Sequence, residues 1–373
     1  MTQDAPRPPI PIVRLNNEAV WEALEKPLKE LVLEGRFTLG PELEEFERSA
    51  ARQFGCDWCV GTSSGTSALF LALKAAPLEP RSRVAIPAST FFATLEAVVT
   101  AGHIPVVIDQ DQDHLIDLTI LERCELDAVI PVHLFGLPVD MAALKEIASD
   151  KGWWVLEDCA QAAGASISGK PVGSQGDAGA FSAYPTKNLG AWGDAGFVTT
   201  DDGELAARIK ALRHHGQAEA NVHAEIGGTD RLDNLQALVL TEKLRHLSRE
   251  VEERRAVATG YVERLSSLGL DLPQDRADRR HVFHQFAVRV PDRTAIRARM
   301  SRAGIATAVH YPTPVHLQPG AQGRCDVPYP TPMAEISSTE ILGLPIFPGL
   351  SADEVDRVAT GLRLALRRKP GPE

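Results

Sequence analysis

The chain has 373 residues, 44% of them hydrophobic and 24% charged. At about 150 residues per domain that length suggests two domains and a sizeable core. A net charge of −11 without a basic block longer than a few residues argues against nucleic acid or an anionic membrane as the main partner, which leaves a small molecule as the expected one.

The N-terminal stretch MTQDAPRPPIPIVRLNN contains no apolar leader segment, and no run of about 18 apolar residues occurs anywhere. The expected location is the cytoplasm. Five cysteines, Cys56, Cys59, Cys124, Cys159 and Cys325, make an odd number without framework spacing, as in a reducing compartment. CDWC at 56–59 reads as two partly buried thiols rather than a redox pair.

In chain order, EAVWEALEKPLKELVLEG (18–35) has the apolar spacing of an amphipathic helix that Gly35 stops, and PELEEFERSAARQFG (41–55) is a second, with Pro41 at its start and Gly55 at its end. From about 57 to 200, short apolar runs such as RVAIPAS, IPVVIDQ and WWVLEDC alternate with helical stretches such as SALFLALKAA and MAALKEIASDKG. That alternation predicts an α/β unit with a mostly parallel sheet, whose ligands gather at the carboxyl ends of the strands. LDNLQALVLTEKLRHLSREVEERRAVATGYVERLSS (232–267) predicts one helix long enough to bridge two domains, and HVFHQFAVRV (281–290) a strand. A terminal amphipathic helix follows in SADEVDRVATGLRLALRRK. The predicted boundary lies near 247, with a large part over 1–247 that includes the N-terminal helices and a smaller α+β part over 248–373.

Three constellations carry chemistry. WWVLEDCAQAAGA (153–165) delivers Asp158 to the end of a buried strand, where a carboxylate needs a cation or hydrogen bonds. SAYPTKNLGAWGDAG (182–196) places Lys187 on a loop after a following strand; a lysine in an apolar pocket becomes a neutral, nucleophilic amine able to condense with an aldehyde. Asp158 and Lys187 do not conflict if a pyridinium nitrogen faces the one and an aldehyde carbon the other. VGTSSGTSALFLALKAA (60–76) runs a hydroxyl-rich turn into a helix, a setting for an anion such as phosphate, and Ser182 adds a further hydroxyl.

These stretches, with FTLGPELEEFE, IPASTFFAT, PVHLFGLPVDM, RLDNLQAL and LGLPIFPGLSADEVDRV, resemble the DegT/DnrJ/EryC1/StrS family of sugar aminotransferases over nearly the whole chain. The resemblance implies a pyridoxal 5'-phosphate enzyme of aspartate-aminotransferase fold type, fold type I. Carried over by position, it implies that Lys187 binds the cofactor aldehyde and shuttles a proton, that Asp158 keeps the pyridine nitrogen protonated, and that Gln161 contacts the ring or its phenolic oxygen. Phe91 would stack on the opposite ring face, with Phe92 as its alternative. Gly65, Thr66 and Ser182 would bind the phosphate. Many members carry asparagine two residues before the arginine of RLD, donated to the neighbouring subunit's phosphate; here Thr229 stands there, and a homodimer is still implied.

The resemblance also places HYP, with His310 and Tyr311, near the substrate, together with His316. His310 and His316 lack further nearby ligands for a metal, so no metal site is expected; a rigid turn set by Pro312 and Pro314 is the alternative for both histidines. RHHGQ (213–217) reads as a helix end. The implied reaction moves an amino group from an amino acid, glutamate first, to a nucleotide-linked keto-sugar, and HYPTPVHLQP is closer to members acting on 3-keto than on 4-keto sugars. Antibiotic or surface-polysaccharide sugar synthesis is the implied setting. The rivals are a cyclitol aminotransferase, which would share every cofactor contact, and a non-catalytic cofactor-binding regulatory protein. A related dehydratase, with histidine in place of the lysine, is disfavoured by Lys187.

Overall fold

The computed structural model describes residues 8–15 and 17–367. The parts of the proline-rich start and of the final basic residues that were read from the sequence but fall at 1–7, 16 and 368–373 lie outside the described residues.

Two helices lead the chain. The first, α1 (Glu18–Glu34), stops where Gly35 takes a left-handed φ of 68° and returns its N–H to the carbonyls of Leu31 and Val32. The second, α2 (Pro41–Phe54), ends the same way at Gly55. Both stops are where the sequence puts them.

A seven-stranded sheet follows, made of β1 (Trp58–Thr62), β2 (Arg83–Pro87), β3 (Ile104–Ile108), β4 (Ala128–Val129), β5 (Trp154–Asp158), β6 (Ala178–Ser182) and β7 (Gly196–Thr200) in the order β1-β7-β6-β5-β4-β2-β3. All neighbours are parallel except β7, which runs against both β1 and β6. Helices α3 (Gly65–Ala75), α4 (Phe92–Thr100) and α5 (Met141–Lys151) lie in the connections between its parallel strands and α6 (Gly203–Leu212) follows the last strand, so the expected mostly parallel α/β architecture is present. The sheet's strands are apolar on both faces because helices cover both. Leu69, Leu71 and Leu73 of α3 pack with Val84, Ile86 and Val198 in one core, and Phe46 and Phe54 of α2 pack with Phe181 and Phe197 in another. Cys59 and Cys159 are buried free thiols, and burial pushes the half-buried Cys56 thiol up to about 12.

The long helix expected across 232–267 is instead two: α7 (Asn234–Leu244) and α8 (Leu247–Leu265). At the joint, the amides of Arg245 and His246 bond to Glu242 and Lys243, three residues back rather than four. The Glu242 carboxylate holds both side chains there, so the break needs neither proline nor glycine.

The strand expected over 281–290 is shortened to β8 (Phe286–Arg289), paired antiparallel with β9 (Ile341–Leu344). Phe283 adopts a positive φ of 45°, and the bonded pairs Val282 N–H to Gly136 O and Gln285 N–H to Phe135 O tie 282–285 to another loop. Helices α9 (Arg293–Arg302), α10 (Pro332–Glu340) and α11 (Ala352–Arg367) complete the C-terminal part, whose core joins Tyr261 of α8 to Phe286, Leu342, Phe347 and Leu362. Ile10, at the start of the chain, also belongs to this core and bridges to Ile305. A domain division near 247 is retained as a proposal, with the chain start crossing it. No helix of the described residues is long and apolar enough to cross a membrane.

Candidate active site

The carboxyl ends of the parallel strands open onto a cavity of about 420 Å³. Asp158, the last residue of β5, reaches it because side chains alternate along a strand; Glu157 points to the opposite face. Asp158 is buried, and its oxygens accept hydrogen bonds from the Ala160 amide at 3.1 Å and the Thr94 hydroxyl at 3.0 Å. Burial raises its pKa, against the opposing effect of those two donors and Lys187. A carboxylate so placed favours a cationic partner brought in by a ligand.

Lys187 follows β6 on a loop whose turn is closed by its own amide donating to the Tyr184 carbonyl at 2.8 Å. Its side chain lines the same cavity, where burial lowers its pKa and the attraction of Asp158 opposes this. Desolvation wins, so the amine sheds its proton more readily than a free lysine. This answers the requirement for an amine that attacks a carbonyl.

The third corner is the first turn of α3. Ser64 caps it by accepting from the Ser67 amide at 3.0 Å, while the Gly65 and Thr66 amides lie in the turn where no intrahelical acceptor exists. Ser182, at the end of β6, closes over this turn so tightly that a Cβ on Gly65 would lie 2.6 Å from the Ser182 Cβ. Gly65 is therefore required by close approach. Backbone amides, helix dipole and hydroxyls converge there, the chemistry that holds a phosphate.

Gln161 lies between Phe135, whose amide donates to its Oε1 at 2.7 Å, and Tyr311, whose hydroxyl accepts from its Nε2 at 3.0 Å. Phe91 flanks the cavity with its ring centroid 5.9 Å from that of Tyr311, while Phe92 faces the core and lies against Gly320. His310 is also in the lining. Burial and then Lys187 pull it down to about 4, and its buried Nδ1 has no hydrogen-bond partner among the described residues.

Nine of the residues singled out in the sequence thus line one cavity: Gly65, Thr66, Phe91, Asp158, Gln161, Ser182, Lys187, His310 and Tyr311. Two do not. His316 is displaced to a separate contact in which its Nε2 meets the Thr331 hydroxyl at 3.2 Å, because the turn after Pro314 carries it away from the site. Thr229 is an exposed contact of His215 Nε2 at 3.1 Å, outside its own chain's cavity.

Residues 20–363 match the model of the DegT/DnrJ/EryC1/StrS aminotransferase family. The chain belongs to that family. It is 41% identical over 91% of its length to a UDP-N-acetyl-3-dehydro-alpha-D-glucosamine 3-aminotransferase of Acidithiobacillus ferrooxidans, covering 95% of that protein. It is 38% identical over 97% of its length to a dTDP-3-amino-3,4,6-trideoxy-alpha-D-glucose transaminase of Streptomyces venezuelae, covering 98% of it. Among solved structures, DesV of S. venezuelae in complex with a ketimine intermediate superposes with a TM-score of 0.91 at 38% identity, over 97% of this chain and 100% of that one.

Sequence reasoning missed several groups that this aminotransferase brings to the cavity or sets behind it. Thr94, from α4, orients Asp158, and its own hydroxyl lies 2.8 Å from that of Thr90. His284 lies in the segment read as a strand; there alternation alone does not show that its ring bonds Asn188, the residue after Lys187, at 3.0 Å. Burial, followed by Lys187 and Arg254, drives His284 well below the usual histidine value, so it is neutral. His133, Glu157 and Cys159 cluster with metal-like spacing behind β5. The histidine and carboxylate are already engaged there: His133 bonds Glu157 at 3.0 Å and takes the Val139 amide, and Glu157 takes the amides of Gly173, Gln175 and Gly176.

Proposed function

We propose that this aminotransferase uses pyridoxal 5'-phosphate to move an amino group from an amino-acid donor, L-glutamate first, to the 3-keto group of a nucleotide-linked sugar. The observation that carries the reading is the enclosure of a buried carboxylate, a lysine with a lowered pKa and an open helix N-terminus in one cavity of about 420 Å³. The three match, respectively, the ring nitrogen, aldehyde and phosphate of the cofactor. The unpartnered Nδ1 of His310 in the same lining leaves a polar atom for a bound molecule.

When bound, that cofactor supplies an electron sink for cleavage at the substrate's α-carbon. Asp158 holds a proton on the ring nitrogen by charge and is itself held by Thr94 and Ala160. Lys187 would hold the cofactor's aldehyde carbon and, as a free amine, would take and return the proton at the reacting carbon. Gly65, Thr66 and Ser182 would hold the phosphate, and Phe91 and Gln161, which line the same cavity, would contact the ring. His310 and Tyr311 border the acceptor. The 3-keto assignment is supported by the names of the two relatives above, which act on sugars of that kind. Those relatives also set nucleotide sugars ahead of a cyclitol acceptor. A homodimer in which Thr229 reaches the neighbouring cavity fits that residue's place outside its own.

The test is an absorption titration. Protein loaded with pyridoxal 5'-phosphate should lose its visible band on adding L-glutamate, and the aminated product should then convert a UDP- or dTDP-linked 3-keto-sugar to its amine, read by mass spectrometry. A visible band that no amino donor changes would overturn the reading.

A further inference from the structure

A second cavity of about 250 Å³ adjoins the first and shares Thr186, His284, Gln285 and His310 with it. Its far wall holds Arg254 of α8, which is only 5% exposed. The guanidinium's Nη1 donates to the carbonyls of Ile346 at 3.1 Å and Phe283 at 3.5 Å, and no carboxylate forms an ion pair with it among the described residues. Glu250, one turn earlier, attracts it from a distance and is itself nearer in effect to Lys243. A buried guanidinium satisfied only by carbonyls is an unstable arrangement unless an anion joins it.

The surroundings strengthen that demand. The lining residues they share join the two cavities into one passage, with the Arg254 guanidinium at the annex end and Asp158 at the cofactor end, and both Lys187 and Arg254 act on His284 between them. Ile12, Leu344 and Ile346 give the annex an apolar wall suited to methylene groups. Its size admits an amino acid and excludes a nucleotide sugar, whose base and ribose need an open groove.

We propose that this annex is the donor subsite, in which Arg254 anchors a carboxylate of the amino acid while the donor's amine faces Lys187. The proposal rests on the transamination reading and names the binding partner of its first half-reaction. It separates the two substrates: the donor enters beneath β8 and β9, and the sugar nucleotide occupies the outer side near Phe91 and Tyr184.

Glutarate, a dicarboxylate that lacks an amine, is the probe. Its affinity for the cofactor-loaded protein is measured by calorimetry in the wild type, Arg254→Lys and Arg254→Met, together with stopped-flow rates of both half-reactions. Losing a charge-assisted pair should weaken glutarate and raise the apparent KM for L-glutamate roughly 10–100-fold in Arg254→Met. The half-reaction with the 3-keto-sugar should suffer at least about tenfold less, and Arg254→Lys should recover part of the loss. A purely structural Arg254 would slow both half-reactions alike or leave glutarate binding unchanged, and either result overturns the subsite. If Arg254→Met does not fold, Ala308→Glu, which brings a carboxylate into the annex wall, must selectively block L-glutamate for the proposal to stand. A wild type that binds glutarate yet aminates no 3-keto-sugar overturns the acceptor reading alone, since the calorimetry reads Arg254 without the sugar.

Discussion

An amine buried among apolar groups is destabilised in its charged form, and for Lys187 that effect exceeds the pull of Asp158. The neutral fraction therefore rises with pH and reaches half below the ordinary lysine value of 10.5. The rate at which apoprotein captures pyridoxal 5'-phosphate should climb with pH through a midpoint lower than that of free lysine, and Lys187→Ala should form no bond reducible by borohydride; mass spectrometry after reduction checks both. For Asp158 the sign is reversed: its raised pKa means that, above the folded value, the fold disfavours the charged form relative to the unfolded chain. In apoprotein, Asp158→Asn should therefore melt no lower than the wild type, and about 1–2 °C higher for each kcal/mol relieved in a chain of 373 residues. Its retention of the cofactor should fall sharply, as equilibrium dialysis would report. Both residues were legible in the sequence because a strand end and a glycine-rich loop are local signals. His284 and Arg254 were not, because one lies in a segment whose alternation imitates a strand, and the other is a polar residue of a helix whose burial only the C-terminal core reveals.

Along β5 the alternation that aims Asp158 at the cavity aims Glu157 the other way, and Glu157 fastens the loop 173–176 to the back of the strand. It is fully buried. Although burial by itself would raise its pKa, His133 and the amides together lower it below the ordinary 4.5. A lowered carboxylate contributes stability that is fully present above the unfolded value and is lost as pH falls through the folded one. Glu157→Gln turns an amide toward backbone donors and should destabilise by about 1–3 kcal/mol at neutral pH. The difference from the wild type should narrow as pH drops below 4.5, a trend that denaturant unfolding at several pH values would test. At this scale the sequence was a good guide wherever an element ends on glycine or opens on a capping side chain, as in α1, α2 and α3. It failed at the α7–α8 joint, where Glu242 gathers Arg245 and His246 and the hydrogen bonds tighten without any breaker residue.

At the scale of the molecule, several surfaces are left as one half of something. Phe91 is 58% exposed although it borders the cavity, and Ile226, on the segment that leads to Thr229, is 87% exposed. The proposed homodimer, in which a second copy would cover Phe91 and carry its own Thr229 segment to the neighbouring phosphate, would account for both, and would reconcile the phosphate contact implied by the family resemblance with the place of Thr229 outside its own cavity. The arrangement has a consequence that monomer chemistry does not share. In such a dimer Lys187→Ala would remove a group from its own site, whereas Thr229→Glu would set a negative charge against the phosphate of the other subunit's site. Each variant alone should be inactive. In a mixed dimer the two lesions fall on the same site and leave its twin intact, so unfolding and refolding an equal mixture should restore roughly a quarter of wild-type activity by random pairing. Activity that stays at the level of the separate variants, in a mixture shown by light scattering to be dimeric, would place Thr229 outside the neighbour's site and leave each cavity complete within one chain.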